Sequence, residues 1–198
     1  MATKLPTVAI IGRANAGKSS LFNRMMRSQQ AIVAREAGTT RDRVVGKAAY
    51  HGHEFWLVDT AGLKPAEDEF EASIQEQITD ASDAADVILV VVDSTEYPSD
   101  EDRRVAKTAL KSRKPVILIA NKTDLRGSLP TSEFLRLGIK SIIRTSAEHN
   151  SGISDALDEI CQHIPEKRQA EPSDVLKIAL IGRPNVGKSS LLNNLLRE

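Results

Sequence analysis

The sequence is poor in cysteine, has no net charge and contains no long apolar run. Its one cysteine, Cys161, excludes a disulfide within the chain and favours a reducing compartment. No apolar run reaches the length of a membrane span, and residues 1–6 lack the apolar region of a signal peptide. Lys plus Arg and Asp plus Glu both number 27, so bulk charge gives no sign of nucleic-acid binding. These absences predict a cytoplasmic globular protein with no membrane or DNA partner.

The order of apolar and helix-like segments predicts an α/β fold. The 198 residues, 40% hydrophobic and 27% charged, suit one ordinary globular domain with some chain to spare. The predicted strands are residues 8–11, 44–50, 54–58, 87–92, 116–120 and 141–144, and the predicted helices are residues 20–26, 72–82, 101–111, 131–137 and 153–164. Because His51-Gly52-His53 leaves room only for a hairpin, we expect a doubly wound, mostly parallel six-stranded sheet with one antiparallel edge strand.

An octet with the spacing of a phosphate-binding loop follows the first predicted strand. It reads Gly12-Arg13-Ala14-Asn15-Ala16-Gly17-Lys18-Ser19, and Ser20 continues into the first helix. Backbone N–H groups of such a loop converge on phosphate oxygens, and the new helix adds its positive end. Lys18 supplies a point charge for the outer phosphates, and the Ser19 hydroxyl is a hard oxygen ligand for Mg²⁺. The octet returns as Gly182-Arg183-Pro184-Asn185-Val186-Gly187-Lys188-Ser189.

A second motif predicts which base is bound. The segment Asn121-Lys122-Thr123-Asp124 follows a buried strand. The Asp124 carboxylate can accept hydrogen bonds from N1–H and the 2-amino group of guanine, a donor pair that adenine lacks. Asn121 is expected to tie the base to its loop, and the Lys122 stem to cover the base face. After the next strand, Ser146 and Ala147 are placed to offer backbone N–H groups to the guanine carbonyl oxygen.

A third motif predicts a metal and a switch. Asp59-Thr60-Ala61-Gly62-Leu63 follows the third strand. Asp59 can hold Mg²⁺ directly or through water, and the Gly62 N–H can contact the γ-phosphate. Gly38-Thr39-Thr40-Arg41-Asp42 lies between the first helix and the second strand, where a threonine hydroxyl can complete the Mg²⁺ shell. Loops held only by γ-phosphate and metal are released on hydrolysis.

The five motifs, in this order, resemble the small G domain of translation-factor-type GTPases. The GTTRD and DTAGL forms, Asn15 and the second phosphate loop after a short linker resemble the double-GTPase family EngA, also called Der. The resemblance implies a Mg²⁺-dependent GTPase of large ribosomal subunit assembly, with two G domains and an RNA-binding domain similar to a KH domain. Residues 165–174, rich in Pro, Glu, Lys and Gln, are expected to be a linker between a first G domain over residues 1–164 and the incomplete start of a second G domain over residues 175–198.

The resemblance also implies roles for single residues. Thr40, with Thr39 as the alternative, completes a metal set with Ser19 and Asp59, and Lys18, Thr40, Gly62 and Asn15 carry catalysis. Ala14 and Ala16 depart from the Pro and Val usual in the family, but these positions contribute backbone and packing.

Hydrolysis is expected to be slow, because Leu63 stands where Ras-like enzymes have a water-orienting glutamine. In potassium-stimulated relatives an asparagine at the Asn15 position helps to hold K⁺, and Asn15 as a simple loop brace is the alternative. Two other classes of function stay open: a scaffold that signals by GTP occupancy, and a P-loop kinase.

Overall fold

The structure is a computed structural model that describes residues 5–27, 44–59, 81 and 84–165. The chain divides into two compact units, Met1–Lys167 and Arg168–Glu198, and every described residue belongs to the first. Most of the helix predicted over residues 72–82 lies outside the described residues. So do the linker beyond residue 165 and the whole predicted start of a second domain. The domain boundaries therefore stay a prediction.

The strands and helices follow the predicted order with bounds shifted by one or two residues. The strands are β1 Thr7–Ile11, β2 Val44–Tyr50, β3 His53–Asp59, β4 Val87–Asp93, β5 Val116–Asn121 and β6 Ser141–Arg144. The helices are α1 Lys18–Arg27, α2 Asp100–Lys111 and α3 Ile153–His163, with a 3₁₀ helix over Thr131–Leu137. The helix predicted over residues 131–137 therefore has the tighter 3₁₀ winding, and Gly138 in the left-handed conformation ends it.

The strands form one sheet in the order β2-β3-β1-β4-β5-β6. All neighbouring strands are parallel except β2 and β3, so the predicted mostly parallel sheet with an antiparallel edge strand is confirmed. The hairpin turn is only two residues long. His51 and Gly52 both have positive φ, 45° and 84°, as a type I′ turn requires.

Two apolar layers cover the sheet. On one face α1 and α3 pack against β1, β3, β4 and β5 through residues such as Leu21 and Ile160. On the other face α2 and the 3₁₀ helix pack through residues such as Val105 and Phe134. Every residue of β4 is buried, which explains why its sequence lacks a polar alternation. In the described part of the chain, no helix has both the length and the apolar character needed to cross a bilayer.

This topology defines where a ligand can bind. β1 lies between β3 and β4, and the chain leaves β3 on one side of β1 and continues as β4 on the other, so β1 is the point where the strand order reverses. In open α/β sheets, ligands bind beyond the carboxyl ends of the strands at such a point. The segments that follow β1, β3, β4, β5 and β6 therefore form the edge of the sheet where a site is expected.

Candidate nucleotide-binding site

The loop from Gly12 to Gly17 is held close to the neighbouring strand ends. Gly12 has a φ of 151°, and a Cβ there would lie 2.3 Å from the Val91 carbonyl oxygen. Gly17 has a φ of 93°, and a Cβ there would lie 2.3 Å from Asn121 Nδ2. Asn15, exposed like Ala14, is also in the left-handed region with a φ of 61°, whereas Ala16 is fully buried. The two glycines are therefore required by backbone geometry and by close approach.

Lys18 begins α1 and is 8% exposed. Its Nζ donates hydrogen bonds to the carbonyl oxygens of Gly12 at 2.8 Å and Arg13 at 2.6 Å, so the ammonium group lies within the loop. Burial lowers the pKa of Lys18, and the nearby carboxylate of Asp59 counteracts part of that effect. The cation predicted to meet the outer phosphates thus lies between the loop and the end of β3.

Two of the three predicted magnesium ligands are described. Asp59 ends β3, is 2% exposed and lies opposite Ile10 of β1 in the strand register. Ser19 is exposed in the first turn of α1, as is Ser20. A carboxylate and a hydroxyl are the hard oxygen donors that Mg²⁺ prefers, so the described part of the set fits the ion. Thr40, the third predicted ligand, and its alternative Thr39 lie outside the described residues, as do Thr60, Ala61, Gly62 and Leu63.

The amide side chain of Asn121 joins three segments of the site. It is 2% exposed at the end of β5. Its Nδ2 donates to the Ala16 carbonyl oxygen at 3.3 Å, and its Oδ1 accepts from Thr145 Oγ1 and Ala147 N, both at 3.1 Å. One buried side chain therefore fixes the phosphate loop, the end of β5 and the segment after β6 relative to one another.

Lys122 is positioned by a carboxylate that the sequence did not single out. Its Nζ donates to Asp93 Oδ2 at 2.6 Å, and the Asp93 Oδ1 accepts from the backbone N–H and the hydroxyl of Thr95. Burial opposes ionisation of Asp93, but the bonds from Lys122 and Thr95 outweigh it and hold the pKa of the carboxyl below its usual value. Lys122 also has a φ of 67°, in the left-handed region. Its backbone conformation is therefore defined by the turn, and the direction of its side chain by the bond to Asp93.

Asp124 is an ionised acceptor at the mouth of the site. A hydrogen bond from the Ser146 side chain lowers the pKa of its carboxyl, and His149 Nε2 lies 3.6 Å from its Oδ2. Thr123 connects the same loop to the segment after β6, because its N–H and its hydroxyl both donate to the Thr145 carbonyl oxygen. A carboxylate held in this way has no proton to donate, so it suits a ligand edge that offers N–H groups.

The backbone N–H groups of Ser146 and Ala147 are both hydrogen-bonded within the protein. Ser146 N donates to the Ser151 carbonyl oxygen at 3.0 Å, and Ala147 N donates to Asn121 Oδ1. A guanine carbonyl oxygen would therefore have to compete for either donor. The sequence placed these residues at the site but gave no sign of these internal acceptors.

Arg24 connects α1 to the segment after β6. Its Nε donates to the Ala147 carbonyl oxygen and its Nη2 donates to that of Glu148, both at 2.6 Å. The helix that begins at the phosphate loop therefore also holds the segment expected to contact the base. Neither bond is visible in the sequence, because Arg24 and Ala147 are 123 residues apart and no motif includes the arginine.

Arg13 connects the phosphate loop to α2. Its Nη2 donates to Glu96, and its Nε lies 3.6 Å from Asp102 Oδ1. Burial works against the charge of Arg13, but these two carboxylates and Asp93 outweigh it and raise its pKa. Asp102 is 3% exposed, and its other oxygen accepts from Ser99 in the capping box that begins α2. The loop is thus attached to the first turn of α2.

Comparisons with known proteins identify the family of the chain. A phosphate loop, a buried asparagine at the end of β5 and an acidic end of β3 on this sheet define the class of P-loop GTPases. The family described as "50S ribosome-binding GTPase" matches residues 7–122 and 177–198, and the chain belongs to that family. The two matched segments each contain one of the two phosphate loops.

The most similar relatives include proteins named GTPase Der. The protein from Gemmatimonas aurantiaca is 45% identical over 197 residues, which cover 98% of this chain and 44% of that protein. The one from Desulforamulus reducens is 45% identical over 194 residues, which cover 98% of this chain and 44% of that protein. The predicted resemblance to the EngA/Der family is therefore confirmed, and the chain spans less than half the length of the curated relatives it matches.

Solved structures of Era share the fold. Era from Aquifex aeolicus, bound to GDP and AlF₄⁻, matches with a TM-score of 0.63 and 27% identity, over 90% of this chain and 63% of that one. Era in complex with MgGDPNP and nucleotides 1506–1542 of 16S ribosomal RNA matches with a TM-score of 0.63 and 28% identity, over 87% of this chain and 61% of that one.

Replacing Arg24 by Met tests whether it positions the base segment. The variant loses two charge-assisted hydrogen bonds, each worth about 1.5–3 kcal/mol. We expect GDP affinity, measured by titration with a fluorescent analogue, to fall about tenfold. Arg24→Lys, which keeps the charge and one donor group, should recover part of the loss.

The matched control is Arg27→Met, which removes the exposed arginine one turn later on the same helix. Its GDP affinity should stay at the wild-type value. Equal affinities of the Arg24 and Arg27 variants would show that Arg24 does not position the base segment.

Proposed function

We propose that this chain is a Mg²⁺-dependent switch that binds GTP and hydrolyses it. The observation that carries the proposal is the buried Asn121 side chain, which bonds to the phosphate loop and to the segment after β6 at once. A site built in this way couples recognition of the base to recognition of the phosphates. A phosphate loop without a base-binding site would not require these hydrogen bonds of Asn121, and neither would a surface turn over Asn121–Asp124.

The phosphates are expected to lie against the loop and Lys18. The ammonium group of Lys18 is buried and already surrounded by oxygen atoms, so phosphate oxygens can replace the carbonyl oxygens that it now contacts. Ser19 and Asp59 would hold Mg²⁺ with Thr40. The ion, when bound, neutralises charge that develops on the phosphate oxygens.

The base is expected to be guanine. The ionised Asp124 accepts hydrogen bonds and donates none, which matches guanine N1–H and the 2-amino group. The hydrogen bond from Ser146 orients that carboxylate, and the Lys122 stem, held by Asp93, can lie along the base. The same chemistry disfavours adenine, which would leave the carboxylate without donors.

Hydrolysis is proposed to be slow and stimulated by potassium. Leu63 has no group to orient a water molecule, so the chain itself supplies an incomplete set of side chains. The exposed amide of Asn15, in the left-handed conformation, can serve as a ligand for K⁺ beside the phosphates. Thr40 and Gly62 complete the proposed catalytic set as the switch residues that sense the γ-phosphate.

The biological role is proposed from the family. The matching family is described as ribosome-binding, and the relatives named GTPase Der are about twice as long as this chain. We therefore place the activity in assembly of the large ribosomal subunit, with ribosomal RNA as partner. Residues 165–174 would be a linker, and the octet Gly182–Ser189 would begin a second G domain. This role agrees with the cytoplasmic location expected from the single cysteine.

Nucleotide binding by Lys18→Ala is the direct test of the proposal. The variant removes the buried ammonium group of the first loop and leaves Lys188 of the second loop intact. If only the first loop has a complete site within this chain, GTP binding measured by equilibrium dialysis should fall almost to zero. A variant that keeps half of the sites would show that each loop binds nucleotide on its own, and unchanged binding would refute the proposed site.

The substitution Asp124→Asn tests the base preference. It replaces an acceptor by an amide that can donate to the 2-carbonyl of xanthine. We expect GTP affinity to fall about 100-fold as two hydrogen bonds to a charged group are lost. Affinity for xanthosine triphosphate should rise in the same variant. Unchanged GTP affinity would show that Asp124 does not read the base.

Comparing GTP hydrolysis in KCl and NaCl at equal ionic strength tests the role of Asn15. We expect faster single-turnover hydrolysis in KCl for the wild type. Asn15→Gly should remove the difference, because glycine adopts the left-handed backbone without supplying the amide. Equal rates in the two salts would exclude K⁺, and no detectable hydrolysis in either would favour a scaffold that acts by GTP occupancy.

A further inference from the structure

A groove between α2 and the 3₁₀ helix is lined by cations. It has a volume of about 450 Å³, and its lining residues are Arg103, Lys107, Leu110, Lys111, Arg136 and Leu137. We call this surface the basic groove. All four cationic side chains are exposed at its rim, while Leu137 is buried and Leu110 is 42% exposed. The groove therefore has an apolar floor and a positively charged border.

The positive charge is a local feature of a chain whose net charge is zero. After the acidic first turn of α2, every charged residue of that helix is cationic. On the opposite face of the sheet, α3 has the acidic residues Asp155, Asp158 and Glu159 and no Lys or Arg. Because bulk composition averages helices of opposite charge such as α2 and α3, it gives no sign of a polyanion-binding surface.

Two of the four cations have no ion-pair partner among the residues that the structure describes. Arg103 is paired with Asp100 at 2.8 Å, and Arg136 with Glu133 at 3.8 Å. In the described part of the chain, neither Lys107 nor Lys111 forms an ion pair. These lysines are one helical turn apart, and Arg103 is one turn before them, so the three charges are spaced about 6 Å apart along the helix.

We propose that the basic groove binds the phosphate backbone of RNA. A row of separate cations fits a chain of phosphates, whereas one small anion would need donors that converge on a single point. Lys and Arg in such a row provide affinity without reading sequence. The choice of RNA over an acidic protein rests on the proposed ribosomal function. The two lysines of the groove lie in the middle and at the end of α2, whereas the nucleotide site lies near its first turn, so RNA and nucleotide can be bound together.

The test removes two charges from the groove. Lys107→Gln/Lys111→Gln in the full 198-residue chain keeps good helix formers at both positions. The matched control, Arg27→Gln/Lys140→Gln, removes two exposed charges that do not line the groove. The probe is a fluorescently labelled short RNA duplex, and binding is followed by anisotropy in KCl from about 50 to about 200 mM.

We expect the groove variant to bind the duplex about tenfold more weakly than the wild type. The slope of log affinity against log salt should become shallower by about 2, since each lost phosphate contact removes roughly one unit. The control variant should keep both values. Equal loss in the two double variants, or wild-type protein that binds polyglutamate but not the duplex, would overturn the proposal.

GTP affinity measured on the same samples separates this proposal from the proposed function. The groove variant should bind GTP as the wild type does, because none of its substituted residues contacts the nucleotide site. If Lys18→Ala kept full GTP binding, the proposed function would fail, yet the RNA measurement would still decide the role of the groove.

Discussion

The buried amide of Asn121 is the interaction on which the site depends. A primary amide removed from water must have its donor and acceptor satisfied, and here Ala16, Thr145 and Ala147 satisfy them. Those partners lie on segments far apart in the sequence, so forming the bonds fixes three loops at the same time. Losing any one of them would leave a polar atom unpaired beside a sheet whose strands are apolar.

The sheet makes that arrangement possible. Parallel strands on both sides of β1 direct their carboxyl ends to the same edge, so short loops are sufficient to bring distant motifs together. α1 then contributes at both of its ends. Lys18 in its first turn lies within the phosphate loop, and Arg24 near its last turn holds the segment after β6. A single ten-residue helix therefore contacts the two halves of the site.

The fold and the segments that form most of the candidate site could be predicted from the sequence because both depend on local patterns. Buried strands such as β4 are continuous, mostly β-branched apolar runs, and the phosphate loop has a fixed glycine spacing. The partners of those motifs could not be predicted. Arg24 and Asp93 meet their partners only through tertiary structure, and the internal hydrogen bonds of Ser146 and Ala147 depend on where a loop closes. The clustering of charge at the basic groove could not be predicted for a similar reason. The sequence shows the cations of α2, but it does not show that Arg136 lies beside them.

Asp102 serves two structures with its two oxygens. One oxygen closes the capping box with Ser99, and the other faces Arg13 of the phosphate loop. Native-state hydrogen exchange detects local opening in cooperative units, and an ion pair between two segments links their opening. The amide protons at the start of α2 and those of the phosphate loop should therefore gain or lose protection together, although they lie far apart in the sequence. A ligand that protects the amide protons of the phosphate loop from exchange would therefore also raise the protection at the start of α2, which it does not contact.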